Sequence, residues 1–341
     1  MQNLDQLLER GIELYQQGAL AESARYLETC IKICQETGQE ETQMLGLSNL
    51  SEAYMRLGRF KDAQYASFEL LALARRCKSI PDEVRAIGRL AMAALILDQR
   101  SRWGELKAQL EDAIKTAREI RLQYWVVQNF ETLGGFALSI GDVATAFDWF
   151  QQALNAISGD VYEAEFFKAR IYCGIAECMV KLAKPARAVE FADLAVTTAE
   201  KTGSPHLIAI CRLCKSKITA CAGDTSEALR LAMGVQVRAA REGWKFEEFS
   251  AQKVLLNCLH NLDRSSEAYE SAMRALSLAE ELSLEEEVVV HLVEVGNVCL
   301  KLGLRSDGNK YFQRAAELAT KLGRYELVSR ARLAMANIGS K

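Results

Sequence analysis

One group of residues in this sequence has a spacing that could support metal chemistry. Cys211 and Cys214 form a Cys-x2-Cys pair, with Cys221 and His206 close by in the chain. Thiolates and imidazoles are the usual ligands of zinc. On one helix, however, the three cysteines share an apolar face, and no second pair of cysteines or histidines completes a tetrahedral set. We therefore expect small buried thiols, and we predict no metal site and no cofactor.

The histidines offer no catalytic arrangement either. Nucleophilic catalysis requires a base beside a nucleophile, but His206, His260 and His291 are far apart in the chain and lack a flanking glycine-rich or elbow motif. The sequence contains no GxGxxG motif and no P-loop, so nucleotide binding has no support. The sequence therefore predicts a protein that is not an enzyme.

Composition narrows the fold class. Three prolines in 341 residues are too few for a turn-rich all-β or collagen-like chain. With 50% hydrophobic and 26% charged residues, the chain is neither a disordered tail nor a membrane protein, because charged residues interrupt every apolar stretch. A helical protein that is not inserted in a membrane is the expectation.

Charge, cysteines and the N-terminus indicate a cellular setting. The first residues contain no basic start and no hydrophobic signal region, which favours the cytoplasm. Ten irregularly spaced cysteines then indicate reduced thiols and not a disulfide framework. A net charge of -3 provides no long-range attraction for phosphate backbones, so we predict no nucleic-acid partner.

A period of about forty residues organises the chain. Gly18 and Gly58 follow one amphipathic helix and precede another, and the glycine in such a turn tolerates the left-handed backbone that ends a helix. Pro81, Pro185 and Pro205 lie where helices are expected to begin. The turn position recurs eight times, at Gly18, Gly58, Asp98, Gly141, Ala183, Gly223, Asp263 and Gly303.

Small residues also recur at fixed distances from each turn, as in the segment FETLGGFALSIGDVATAFDWFQQAL of the fourth unit. This unit resembles the tetratricopeptide repeat, and the eighth unit carries the same pattern. The period is longer than the usual 34 residues. It is similar to the longer variety in kinesin light chains, rapsyn, G-protein-signalling modulators, the maltose-regulator sensor domain and Rap-type peptide receptors. The matching residues are Leu133, Gly134, Gly141, Ala146, Phe150 and Ala153 in the fourth unit, and Gly296, Gly303, Gly308, Phe312 and Ala315 in the eighth.

The resemblance implies an all-α fold, an α-solenoid that winds as a right-handed superhelix of eight helix-turn-helix repeats. A C-terminal capping helix over residues 323–341 is expected to bury Leu327, Val328 and Leu333. Two departures are expected: an irregular corner near Trp103, and a sixth unit whose first helix is rotated to bury Cys211 and Cys214. The expected repeats cover residues 1–38, 39–79, 80–120, 121–159, 160–203, 204–243, 244–283 and 284–322.

The resemblance also implies a concave groove lined by the first helix of each repeat. Asn257 and Asn297 are one period apart, where tetratricopeptide grooves often carry an asparagine that holds a peptide main chain. An amide supplies both the donor and the acceptor that a peptide bond needs. The alternative, that two solvated asparagines coincide, remains open. The predicted protein- or peptide-binding residues are Asn257, Asn297, Lys253, His260, Asn261, Lys301, Arg85, Arg89 and Met92.

Together these features predict a non-enzymatic scaffold or adaptor that binds a protein or peptide in its concave groove. The alternative is a ligand-sensing regulatory protein whose superhelix changes pitch when it binds a peptide or a small molecule. RNA-binding helical repeats require a basic groove, and the mixed charges of this one disfavour that class.

Overall fold

The computed structural model describes residues 4–157 and 164–336, and within these ranges the chain forms seventeen α-helices and one short 3₁₀ turn. No strand occurs in the described ranges. The expected boundary between the fourth and fifth repeats, at residues 159 and 160, and the expected end of the cap lie outside them. The exact repeat boundaries given above remain predictions.

The chain divides into two compact units, Met1–Ser204 and Pro205–Lys341, called unit 1 and unit 2. In both, helices alternate between a first and a second helix of each pair. Unit 1 has the first helices α1 (Leu4–Gln16), α3 (Glu40–Arg56), α5 (Ile80–Ile96), α7 (Gln123–Ser139) and α9 (Ala164–Lys181). Its second helices are α2 (Leu20–Thr37), α4 (Phe60–Cys77), α6 (Trp103–Glu119), α8 (Val143–Ala156) and α10 (Pro185–Lys201).

Unit 2 continues the same alternation of helices. Its first helices are α11 (Pro205–Cys221), α13 (Lys245–Asn261), α15 (Glu285–Lys301) and α17 (Tyr325–Ala336). Its second helices are α12 (Thr225–Glu242), α14 (Ser265–Glu281) and α16 (Arg305–Lys321).

Packing follows chain order within each unit. A second helix packs against its own first helix and, where another pair follows in the same unit, against the first helix of that pair. Most neighbouring first helices also contact one another. The first helices therefore form a layer of their own, and we call its accessible side the first-helix face of the unit. The predicted all-α, solenoid-type fold of stacked helix pairs is confirmed.

All eight turn positions predicted from the period have a left-handed backbone. Their φ angles lie between 51° and 98°, including those of Asp98, Ala183 and Asp263, which have side chains. In a representative turn, the Arg59 N–H donates to the Tyr54 carbonyl at 2.9 Å and closes the helix end. The three prolines lie in the first turn of α5, α10 and α11, as predicted.

Small residues bring the two helices of a pair close together. The Ser23 hydroxyl donates to the Gly11 carbonyl at 2.7 Å, and the Ser216 hydroxyl donates to the Ala228 carbonyl at 2.6 Å. Both contacts join a first helix to its own second helix. The recurring small residues therefore serve packing.

The two expected departures are present. A 3₁₀ turn over Arg100–Arg102 precedes α6, and Trp103 stacks on Phe136 with ring centroids 4.8 Å apart. In α11, Cys211 and Cys214 are buried while Arg212 is exposed.

The expectation for the last helix is partly wrong. α17 packs on α15 and α16 and buries Val328 and Ala331, but Leu327 is only half-buried and Leu333 is 67% exposed. Leu333 lies five residues beyond Val328, which places it on a different face of the helix.

Candidate functional site

Asn257 and Asn297 occupy the same position on neighbouring first helices of unit 2. Asn257 follows Lys245, the first residue of α13, by twelve residues, and Asn297 follows Glu285, the first residue of α15, by the same number. Asn257 is exposed and Asn297 is half-buried. Among the described residues, neither side-chain amide has a hydrogen-bond partner, so both can accept and donate to a ligand.

Ion pairs between first helices flank the two asparagines. One turn before Asn257, Lys253 of α13 pairs with Glu287 of α15. On the other side, Arg330 of α17 donates to Glu294 of α15 at 2.6 Å. The amides therefore lie between fixed charges that connect α13, α15 and α17.

His260 completes this network. Its Nδ1 lies 3.4 Å from the Lys301 ammonium and its Nε2 lies 3.9 Å from Glu294 Oε2. Burial and the neighbouring Lys301 lower the pKa of His260, against the opposing effect of Glu294. A neutral imidazole with its proton on Nε2 can accept from Lys301 through Nδ1.

These pairings change what the predicted site residues can offer a ligand. Lys253 and Lys301 were predicted to bind the ligand, but each already interacts with a neighbouring helix. Asn261, at the end of α13, is exposed. Neutral amides, and not unbalanced charge, dominate this part of the first-helix face.

The predicted residues of unit 1 lie together on α5. Arg85 pairs with Asp82 at 2.9 Å, and Met92 is half-buried. Arg89 donates to the Ser48 carbonyl at 2.6 Å and stacks over Trp125 at 5.4 Å, so it connects α3, α5 and α7. Arg89 therefore has a structural role even where it borders the first-helix face.

Polar residues of α7 were missed in the sequence. Glu131 accepts from Arg170 of α9 at 2.8 Å, and Gln128 Oε1 lies 3.5 Å from the same guanidinium. Burial raises the pKa of Glu131, although Arg170 opposes this effect. A signal was present, because Gln128 and Glu131 are three residues apart in a mainly apolar segment, a spacing that puts them on one helix face.

The described ranges contain no candidate metal site and no candidate membrane-spanning helix. No group of three or more potential ligands among His, Cys, Asp and Glu is close enough there to hold a metal ion. All ten cysteines are free thiols. Every helix between residues 4 and 336 that the structure describes is too short or too polar for a bilayer crossing.

Comparison with known proteins identifies the fold. The chain superposes on a Rap protein solved in complex with competence and sporulation factor, with a TM-score of 0.61 at 12% identity, over 99% of this chain and 97% of that chain. It superposes on NprR in complex with its cognate peptide NprX, with a TM-score of 0.50 at 12% identity, over 84% and 82% of the two chains. A tetratricopeptide repeat protein from Parabacteroides merdae gives a TM-score of 0.50 at 12% identity, over 86% and 100%.

Sequence comparison finds no match. No protein-family model matches the chain, and no curated protein matches it. The structural likeness alone shows that this chain has the tetratricopeptide-type repeat fold predicted from its period.

Proposed function

We propose that this chain is a non-enzymatic binding module that holds a peptide, or an extended segment of a protein, on the first-helix face of unit 2. The observation that carries the proposal is the pair of amides, Asn257 and Asn297, which share one register on neighbouring helices and have no partner among the described residues. A scaffold or adaptor role follows, because such a site binds a segment without changing it.

The chemistry of the two amides favours a main chain over a charged side chain. Each amide offers one acceptor and one donor group, which are the complements of a peptide N–H and C=O. Side chains connect α13 and α15, as the Lys253–Glu287 pair shows. An extended segment that crosses both first helices would therefore meet the two amides with different main-chain groups.

The structural comparisons support this choice of ligand. A Rap protein and NprR have the same fold, and each was solved with a bound factor or peptide. The balanced charges around Asn257 and Asn297 support a neutral main-chain contact in this chain.

One observation favours the regulatory alternative, in which ligand binding changes the arrangement of the helices. Arg330 ties α17 to Glu294, which is one turn from Asn297 on α15. A ligand that contacts Asn297 and displaces Glu294 would weaken the attachment of α17.

We propose the cytoplasm as the setting of this function. The ten free thiols support a reducing compartment. The net charge of -3 supports a protein or peptide partner over a nucleic acid.

Site-specific photo-crosslinking tests the proposed function even while the partner is unidentified. A benzophenone side chain at exposed Asn261, next to Asn257, is compared with one at exposed Glu270 on the second helix α14. In cell extract, the Asn261 position should give a discrete adduct that mass spectrometry identifies, and Asn257→Ala with Asn297→Ala should abolish it. Adducts from Glu270 alone, or an adduct that persists in the double variant, would place binding elsewhere.

A further inference from the structure

Four buried polar atoms without a hydrogen-bond partner lie within one turn of α7. They are Nε2 of Gln128, both Nδ2 and Oδ1 of Asn129, and Oε2 of Glu131. Buried polar atoms in folded proteins are nearly always paired, and exceptions often mark a place where a ligand or water completes the site. None of these three residues belongs to the proposed site in unit 2.

The three side chains point in two directions. Asn129 is fully buried and faces α5, where an added Cβ on Gly88 would lie 2.5 Å from its Oδ1. Gln128 and Glu131 instead face Arg170 of α9. Arg170 contacts both of these side chains, and its own side chain is 25% exposed.

The charges of this cluster are already balanced. Glu131 is paired with Arg170, and Arg89 on the neighbouring α5 lies 3.3 Å from Glu52. A charged ligand group would lose its hydration here without gaining a free counter-charge. Apart from Asn129, which faces α5, the unsatisfied groups are one donor, Gln128 Nε2, and one acceptor, Glu131 Oε2. This pair fits a neutral ligand with both an acceptor and a donor.

A residue of an extended peptide has this combination, because its own N–H and C=O point to the same edge of the chain, as they do in an antiparallel pair of strands. We propose that unit 1 contains a second peptide site on α5, α7 and α9, in which Gln128 Nε2 donates to the carbonyl and Glu131 Oε2 accepts the N–H of one extended residue. Arg170 turns aside to admit it and keeps its contact with Glu131.

The side chains around this cluster suit such a segment. Tyr124, one turn before Gln128, is 38% exposed and packs edge-on against Phe167 of α9. Phe166 of α9 lies under the Arg170 guanidinium at 5.6 Å and is half-buried. Side chains alternate along an extended segment, so those that point toward the protein would meet Tyr124, Phe166 and Met92.

The proposal adds a site to the proposed function and does not depend on the asparagines. To separate the two, the full chain carrying Asn257→Ala and Asn297→Ala is used to select peptides from a phage-displayed random dodecapeptide library. A selected peptide, synthesised with blocked ends, is then titrated against this parent and against Gln128→Leu and Glu131→Gln made in it. Gln109→Leu on the second helix α6 is the matched control.

We expect Gln128→Leu to weaken peptide binding about tenfold, which is the scale of one lost hydrogen bond. Gln109→Leu should leave peptide binding unchanged. Methylation of the peptide main-chain nitrogens, one at a time, should identify one position that weakens binding about tenfold in the parent but less than about threefold in Glu131→Gln. Gln128→Leu removes an unpaired buried N–H group and only one long contact to Arg170, so it should not lower the melting temperature. Gln128→Met serves if Gln128→Leu does not fold.

The proposal is overturned if the selected peptides bind Gln128→Leu as tightly as the parent, or if every N-methyl effect is equal in the parent and Glu131→Gln. Failure to select any peptide on the parent also overturns it. In each of these cases the asparagine site is judged separately, by the same selection on the chain with Asn257 and Asn297 restored.

Discussion

Phe150 and Phe312 each lie against a glycine of the preceding first helix, and these contacts limit how closely the helices of a pair can approach. A Cβ on Gly134 would meet the Phe150 ring at 2.7 Å, and one on Gly296 would meet the Phe312 ring at 2.5 Å. Both rings are buried and cannot move into solvent. The small residues that recur in the sequence are therefore required by the large ones that follow the turn.

Gly296→Ala should therefore lower the free energy of unfolding by about 1–3 kcal/mol, because the added methyl overpacks a buried contact. Gly234 is the matched control. It lies within α12, and a Cβ there would meet no atom within 4 Å. Gly234→Ala should raise stability by about 0.5–1 kcal/mol, through the better helix propensity of alanine. Urea unfolding followed by circular dichroism distinguishes the two, and equal effects would contradict this description of the packing.

His291 makes unit 2 sensitive to acid. It is buried against Phe249, with ring centroids 5.3 Å apart, and neither ring nitrogen has a hydrogen bond. Burial lowers the pKa of His291 from 6.5 to about 4. Lys253 and Arg330 also lower it, and Glu287, at 3.7 Å, raises it. The unfolded chain takes up this proton at higher pH than the folded chain does, so stability is lost as the pH falls from 6.5 toward 4.

His291→Leu should remove this loss. The difference in unfolding free energy between about pH 7 and about pH 4.5 should shrink by on the order of 2 kcal/mol. The unmodified chain, measured over the same pH range, is the reference. An unchanged pH dependence in His291→Leu would show that this imidazole is not held in its neutral form.

The period alone places Asn257 and Asn297 in the same register of neighbouring first helices, and the structure has them there. The sequence could not show that Lys253 and Lys301 are engaged by Glu287 and His260, because those contacts depend on the distance between neighbouring helices. The contact between Gln128 and Arg170 of the next first helix depends on the same distance.

Among the helices, α17 has the fewest buried side chains. Val328 and Ala331 are buried, and arginines attach the helix and the turn before it to α15 through Arg330–Glu294 and Arg324–Glu286. Exposed ion pairs of this kind contribute little, with values of roughly 0–1 kcal/mol each. The position of α17 therefore depends on its short apolar contact.

Val328→Asp should release α17, because it places a carboxylate in that contact. Hydrogen exchange of the amides in residues 325–336 should become faster, while exchange in α13 stays unchanged. Leu333→Asp introduces the same charge at an exposed position of the same helix and should have no effect. Equal protection of α17 in both variants would show that the ion pairs, and not Val328, hold the helix.

The helices themselves were predictable because the period fixes their number and the turn residues fix their ends. An irregular corner near Trp103 was expected from the spacing of 43 residues between Asp98 and Gly141, and the structure has a 3₁₀ turn there, at Arg100–Arg102. The exposure of Leu333 was not expected. Within the described residues, no second helix follows α17 to pack against this face. Leu333 therefore remains exposed, although an apolar residue at this position would be buried in a complete helix pair.

At the scale of the whole molecule, the fold follows from contacts between sequence neighbours. Within each unit, a helix packs against the next one or two helices in the chain. Stability in such stacks is roughly a sum of pair and interface contributions. This is why a repeat pattern predicts the architecture well, although it carries no information about which segment the first-helix faces bind.

In the function proposed above, Asn257 and Asn297 hold the main chain of a bound segment. The most direct test is the affinity of the segment identified by crosslinking, made as a synthetic peptide, for the unmodified chain and for Asn257→Ala, Asn297→Ala and the double variant. Each single change should weaken binding by roughly fivefold to 150-fold, the equivalent of about 1–3 kcal/mol, with the melting temperature nearly unchanged. Glu270→Ala on α14 should bind normally. Full affinity in the double variant would contradict this role of the two asparagines.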